Sequence, residues 1–222
     1  EKGISVAAHI KSIKDIEDRD IEEKDITEEN IEKLRNMVLP VFEEKKISEM
    51  EELILKARED GDSIGGVIEV MATGVPAGIG DPFFESMESE LSRMIFSVPA
   101  TKGIEFGAGF DIARMTGYEA NDEMYYDADG KVKSYTNNNG GIAGGITNGM
   151  PISFKVAIKP PASIERKQKT VNLETKMNDF LEVRGRHDPV IVPRAVVVIE
   201  AATAIVILDR LMESQKNKNL DF

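Results

Sequence analysis

From Ala195 to Leu211 the chain is apolar almost all the way round a helical wheel, and this limits how it can fold more than any other feature. A helix of that kind has no face to give to water, so it has to be enclosed. Its apolar run, Ala195 to Leu208, contains Glu200 and falls short of the roughly 20 apolar residues that cross a bilayer. The helix is therefore expected inside a protein core, between layers supplied by the rest of the chain.

Those layers read as strands. Ile4, Val6, Ala8 and Ile10 alternate with Ser5, Ala7, His9 and Lys11, which is strand periodicity. Residues 66–73 form a second strand pattern. Ile152, Phe154, Val156 and Ile158 form a third, with Lys155 on the opposite face and Lys159 at its end. A hairpin is expected through Thr170 to Leu173, and residues 103–117 read as a glycine-bearing strand ahead of a turn at Asp127–Gly130. Three helices intervene. One is polar, from about Glu28 to Phe42, and is interrupted at Pro40. One opens on a Ser48-Glu49-Met50-Glu51 capping box, shows Met50, Leu53, Ile54 and Ala57 on one face and stops at Gly61. One opens on Asp81-Pro82 and carries a stripe of Met87, Leu91, Met94 and Ile95. The expected class is α+β: a β-α-β sandwich with central buried helices between antiparallel sheets.

Charge narrows the function. A formal net charge of −12 argues against general nucleic-acid binding, which draws most of its affinity from basic surface. Residues 1–100 hold twice as many acidic as basic side chains, whereas residues 151–195 hold nine Lys/Arg against five Asp/Glu. An acidic chain with one basic stretch near its glycines fits a focused anion site, although on charge alone a solvated hairpin is the simpler explanation. With no cysteine, thiolate chemistry and disulfides are excluded, and two histidines give poor support to a metal cluster. A cytoplasmic enzyme with no membrane partner is the expected setting.

Three segments carry candidate chemistry. Asn137–Gly149 is the densest glycine run, with paired glycines at 140–141 and 144–145, able to present consecutive N–H groups to an anion. Its spacing is neither a Walker loop nor a dinucleotide fingerprint, and a tight turn packed on a helix explains it as well. Lys159-Pro160-Pro161-Ala162-Ser163 closes the third strand, where prolines hold an ammonium and a hydroxyl at a rigid end; an edge-strand terminus is the plainer alternative. Arg184-Gly185-Arg186-His187-Asp188-Pro189 gathers two guanidiniums, an imidazole and a carboxylate before the apolar helix. Asp188 can manage a proton there, or simply cap the helix. His9, alone on a polar strand face, reads as structural.

Taken in order, these segments stop being independent. Gly61-Asp62-Ser63-Ile64-Gly65-Gly66, Gly74-Val75-Pro76-Ala77-Gly78-Ile79-Gly80 and Ser97-Val98-Pro99-Ala100-Thr101-Lys102-Gly103-Ile104-Glu105-Phe106-Gly107 precede the paired glycines, the Lys-Pro-Pro-Ala-Ser strand end and Gly185-Arg186-His187-Asp188-Pro189. The series resembles the chorismate synthase family in order and approximate spacing over essentially all 222 residues. The resemblance implies the anti-1,4-elimination of phosphate from 5-enolpyruvylshikimate-3-phosphate to give chorismate, with reduced FMN and no net redox change. It implies NADPH as the associated reductant and a homo-oligomer, a tetramer in the family. By position it assigns flavin contacts to Pro99, Ala100, Gly144, Lys159, Pro160, Pro161, Ala162, Ser163 and Arg186, and a proton-handling role to Asp188.

The family's two catalytic histidines, its substrate-binding arginines and its Gly-Arg-Ser/Ala-Ser motif are not in this sequence. Together with Glu1 and the abrupt opening into a strand, this leads us to expect residues 1–222 to form a single domain that lacks an N-terminal part, and to have little activity alone. The competing expectation is a non-catalytic flavin- or phosphate-binding α+β module that assembles with partners. A weaker third is an acidic interaction domain whose glycines are structural only. The flavin reading requires Gly144, Lys159 and Arg186 to converge in space.

Overall fold

The computed structural model describes residues 3–185 and 187–218. In chain order the elements are β1 (Ser5–Ile13), β2 (Ile16–Glu17), α1 (Glu28–Asn36), α2 (Lys45–Glu59), β3 (Gly66–Thr73), α3 (Met87–Ser97), β4 (Thr101–Phe106), α4 (Gly117–Ala120), β5 (Met124–Tyr126), β6 (Val132–Ser134), β7 (Ile142–Ala143), β8 (Ile146–Thr147), β9 (Ile152–Ile158), β10 (Gln168–Asn172), β11 (Met177–Leu181) and α5 (Val192–Lys218). One five-stranded sheet, ordered β2-β1-β3-β9-β4, organises the molecule, and every pairing in it is antiparallel. The other strands form three small hairpins, β5-β6, β7-β8 and β10-β11. The class is α+β, as the alternating patterns indicate.

The sheet separates two environments. Ala8 and Ile10 of β1, Ile68, Val70 and Ala72 of β3, and Ile152, Phe154, Val156 and Ile158 of β9 all lie buried on one face. On that face α5 packs across β1 and β3, while α3 packs on β4 and α5. Met87, Leu91 and Ile95 of α3 and Ile199 and Ile207 of α5 close the core. Burying a side chain of this size is worth about 1.5–3 kcal/mol, so this single layer supplies most of the driving force.

The helix that seemed to lack a solvent face is enclosed on one side only. Val197 and Leu208 are 62% and 57% exposed, and Val198, Ile205 and Met212 are exposed with them. Among the described residues no second sheet covers this stripe, so α5 is apolar on both sides yet buried on one. Two helix starts also differ from the sequence expectation. Ser48 lies inside α2, which begins at Lys45, and its hydroxyl donates to the Lys45 carbonyl instead of capping. Asp81-Pro82 belongs to an irregular lead-in. Ser86 is the N-cap of α3, accepting from the Ser89 N–H at 3.1 Å. The lead-in carries Phe83, at φ 88° and 91% exposed. Residues 103–117 divide into the end of β4 and a 3-10 turn over Gly109–Arg114.

The opposite face carries charge. His9, Glu69, Lys155 and Glu105 stand in one cross-strand row, since His9 pairs with Glu69, Glu69 with Lys155 and Lys155 with Glu105. The segment between β2 and α2 folds over part of this row, and Ile21, Ile31 and Phe42 pack on Ala7 and Met71. His9 is fully buried beneath it. Its Nδ1 lies 3.1 Å from Asp18 Oδ2 and its Nε2 lies 2.9 Å from Glu69 Oε2. Both carboxylates also collect backbone donors: Phe42 and Glu43 donate to Asp18, and Ile21 donates to Glu69. The imidazole thus cross-links the sheet to its cover.

The outer edge of β1 is closed by unlike partners. β2 pairs only with Ser12 and Ile13, the Ile10 N–H donates to the Pro40 carbonyl, and the Ala8 N–H donates to Glu200 Oε2 of α5. Glu200 is itself held by Arg35 of α1 at 2.8 Å. The one carboxylate within the apolar run Ala195 to Leu208 therefore pairs an otherwise free strand N–H, which a buried edge requires.

Burial alone pulls the His9 pKa down, but the hydrogen bonds to Asp18 and Glu69 outweigh it and hold the pKa above its ordinary 6.5. Burial pushes Asp18 up, and the His9 bond with the Phe42 and Glu43 N–H groups brings it below its ordinary 3.8. The His9 contribution is complete below pH 6.5 and is lost as pH rises through the folded-state value. The Asp18 contribution is present above pH 3.8 and is lost as pH falls through its folded-state value. Thermal melts across pH should therefore show an alkaline decline that His9→Gln flattens. At pH 6 that variant should cost about 3–5 kcal/mol, the usual loss when one partner of a buried charged pair is removed. An alkaline limb identical in wild type and variant would show that His9 does not carry it.

Candidate functional site

At the C-terminal end of β9 several distant segments are tied into one junction. β9 ends at Ile158, and the next N–H, that of Lys159, donates to the Ala100 carbonyl at 2.9 Å. Ala100 follows the end of α3 in a left-handed conformation, φ 72°, which a residue with a Cβ adopts only at a cost of roughly 1–2 kcal/mol. Pro160 and Pro161 then stop the ladder. The Ser63 hydroxyl donates to the Pro161 carbonyl at 2.6 Å, and the neighbouring Ile64 N–H donates to the Pro189 carbonyl at 2.8 Å. Pro99–Ala100, Lys159–Pro161 and Asp188–Pro189 are thus brought to one end of the sheet, with Ser63–Ile64 as the link.

Gly65 makes this approach possible. A Cβ at that position would collide with the Ile158 carbonyl and the Pro160 ring, so the strand end and the start of β3 lie closer than any side chain permits.

A cleft of 420 Å³ opens beside the junction. Its walls are Ile54, Leu55 and Arg58 of α2, the Gly61-Asp62 turn, Ile164-Glu165, and Gly185, His187, Asp188 and Pro189. Polar bonds brace it. The Glu165 N–H donates to the Gly61 carbonyl at 2.9 Å, and Arg166 donates to Asp62 at 2.7 Å. The Arg166 guanidinium, helped by the Ser63 N–H, holds the Asp62 carboxyl below its ordinary value. Asp188 pairs with Arg194 in the first turn of α5, which begins at Val192. It does not cap the helix by the simple reading of its spacing. His187 Nε2 lies 3.2 Å from the Val183 carbonyl.

The paired glycines lie elsewhere. Gly144 forms the exposed tip between β7 and β8 at φ 60°, with open space where a Cβ would be. The Gly145 carbonyl accepts from the Met87 N–H at 2.9 Å, which fastens the tip to the start of α3. Gly141 packs on the Pro151 carbonyl just ahead of β9. Gly144 and Lys159 are therefore at opposite ends of β9, roughly 20 Å apart for a seven-residue strand. Of the three residues whose convergence was expected, Gly144 and Lys159 therefore do not meet, while Ala100, Pro160, Pro161 and Asp188 stand at the Lys159 end. Ala162 and Ser163 follow the junction as exposed residues, and Arg186 lies outside the described residues.

A family model described as chorismate synthase matches residues 1–212. The chain belongs to the chorismate synthase family. It is 53% identical over 165 residues to a chorismate synthase of Methanocaldococcus jannaschii, covering 74% of this chain and 44% of that protein. It is 41% identical over 210 residues to one of Trichodesmium erythraeum, covering 95% of this chain and 55% of that protein. A solved crystal structure of a chorismate synthase superposes with a TM-score of 0.77 at 31% identity, over 96% of this chain and 58% of the other. The chain thus spans about half the length of the chorismate synthases it matches. Among the described residues no helix is long and apolar enough to cross a membrane.

Sequence reasoning named the residues of the junction and, through the Gly61-Asp62 and Gly185, His187, Asp188 and Pro189 positions of two family segments, part of the cleft wall. It missed the rest: Arg58 looks like one more surface cation on a polar helix face, and Glu165 like one more charge on a hairpin.

Gly65→Ala should be destabilising by about 1–3 kcal/mol, the usual cost of overpacking a tight contact. Urea denaturation measures this directly. An unchanged midpoint would mean that the Ile158–Pro160 turn yields freely and that the junction is not rigid.

Proposed function

We propose that this chain is the cofactor-facing portion of a chorismate synthase, a lyase that eliminates phosphate and a ring proton from 5-enolpyruvylshikimate-3-phosphate. The observation that carries the reading is the junction, where the Lys159 N–H to Ala100 bond and the Ser63 and Ile64 bonds join three of the family segments beside one cleft. The cleft beside the junction, 420 Å³, is within the roughly 300–1,000 Å³ range of small-molecule sites, and its walls combine apolar Ile54, Leu55 and Ile164 with Arg58 and His187. Of the assigned flavin contacts that the structure describes, none lines this cleft; they adjoin it through the junction.

Pro99, Ala100 and Lys159 to Ser163 would hold FMN at this end, Gly144 would be a separate contact from the other end of β9, and Arg186 is assigned to the flavin by the family resemblance alone. Reduced FMN, when bound, would lend electron density to the substrate ring as phosphate departs and accept the ring proton. The chain's own part is electrostatic and positional. Lys159, on a strand end fixed by two prolines, presents an ammonium able to stabilise developing anionic charge without reorganising at the moment of reaction. Asp188 offers a carboxylate on the cleft wall to hold or pass a proton, and Arg194 fixes its orientation. Ile54 and Leu55 of α2 give the cleft an apolar wall. A homotetramer in the cytoplasm is the assembly and setting we propose with this function.

Titrating the chain with dithionite-reduced FMN should show saturable binding that Lys159→Ala weakens about tenfold, the loss of one charge-assisted contact. Asp188→Asn should bind flavin normally. No saturable flavin binding by the wild type would sink the reading and leave the phosphate-binding assembly module. The 222 residues assayed alone with reduced FMN and 5-enolpyruvylshikimate-3-phosphate should turn over slowly or not at all, because the sequence lacks the arginines and histidines expected against a trianionic substrate. Turnover at the rate of the Methanocaldococcus jannaschii enzyme would refute that.

A further inference from the structure

We propose that Asp122 is the positioning residue of the glycine turn, setting the Asn137–Gly145 segment and, through it, the start of α3. This rests on the reading of Gly144 as a ligand contact. Asp122 is 9% exposed and no step of the proposed reaction uses it. Its carboxylate receives four donors. Oδ1 accepts from the Thr136 hydroxyl and the Asn138 N–H, both at 2.7 Å. Oδ2 accepts from the Asn139 N–H at 3.0 Å and from the Asn139 side-chain amide at 2.8 Å. Burial alone would raise its pKa, yet these donors bring it below the ordinary carboxylate value, so the group is held charged at neutral pH.

The consequence runs along the chain in a fixed sequence of contacts. With Asn138 and Asn139 pinned, the Asn138 carbonyl accepts from the Ala108 N–H at 2.9 Å, joining the turn to the loop after β4. Asn137 reaches the other way, donating its amide to the Pro151 carbonyl and accepting from the Gly141 N–H, both at 2.8 Å. Gly140 and Gly141 are thereby held at φ 62° and 80° against Ser153 and Pro151, with no room for a Cβ. From there β7-β8 projects Gly144, and the Gly145 carbonyl receives the Met87 N–H. One buried carboxylate thus sets the base of the turn, while Gly145 and Thr147 fasten its far side to Met87 and to the 76–79 segment.

A purely structural role predicts that replacing Asp122 costs stability and nothing else, so the test pairs stability with two local readouts. In Asp122→Asn the side-chain amide turns N–H groups toward existing donors. Backbone amide exchange on the full chain should speed at residues 138–148 and at Met87, while β1, β3 and α5 stay protected. Affinity for reduced FMN should fall at least tenfold. Asp18→Asn, which breaks the separate His9 network, is the control: melting temperature falls with flavin affinity unchanged. If Asp122→Asn does not fold, Asn139→Ala removes one donor and should move exchange and affinity in the same direction by a smaller factor. Unaltered exchange at the turn, or exchange that quickens across the whole sheet, overturns the proposal. So does faster local exchange with undiminished flavin affinity. Failure of the wild type itself to bind FMN would instead remove the flavin reading and, with it, the ligand half of the role assigned to Asp122.

Discussion

The hydrogen-bond ladder of β9 fixes where everything of interest lies. β9 is paired on both sides, with β3 and β4, over nearly its whole length. Ile152, Phe154, Val156 and Ile158 fill the core on one face while Lys155 joins the charged row on the other. A slip of one residue would put Lys155 into the core and four apolar side chains into the charged layer, so the register has one acceptable value. The two ends of this strand are consequently fixed points. Pro151 and Ser153 receive the paired glycines at one end, and Lys159 meets Ala100 at the other.

How much of this was legible in the sequence follows from what period and punctuation encode. β9 reads directly because its two-residue alternation survives in the burial of its residues, and the Lys159-Pro160-Pro161 stop marks its end, whereas β3 reads as a mostly apolar run buried on both faces. Family order in the motifs carried the assignment further than any single segment. The failures share a cause. Ser48 and Asp81 are good cap residues, but Ser86 and the earlier start at Lys45 won because tertiary contacts decide which of several acceptable caps is used. Gly145 supplies the acceptor that fixes α3 at Met87. Likewise α5 showed that it must be buried but not against what, since hydrophobicity reports the need for a partner and not its position.

The site was legible in its backbone and obscure in its side chains. Lys159 could be named because two prolines mark its strand end, Asp188 because it lies within a dense motif, and Ala100 only through the family resemblance. Asp62 with Arg166, Asp122 with Asn138 and Asn139, and Glu200 with Ala8 and Arg35 are pairings across long sequence separations. No local pattern announces them. His9 reads correctly as structural, but its isolation on a polar face gave no hint of the two carboxylates that meet it.

Two struts join the ends of the site. α3 runs about 16 Å from the glycine turn toward Pro99–Ala100, and β9 with its flanking residues runs about 26 Å from Pro151 to Lys159. The carbonyls of Gly145 and Ala100 lock the first strut to the second at its two ends, through Met87 and Lys159. A frame closed at both corners cannot shorten or twist on one side alone. The two ends of the chain's proposed cofactor surface are therefore mechanically linked although they share no side-chain contact. The left-handed φ of Ala100 is where that frame carries its strain: a backbone cost tolerated at the corner next to the cleft because the ladder on one side and the helix on the other leave the residue no alternative conformation.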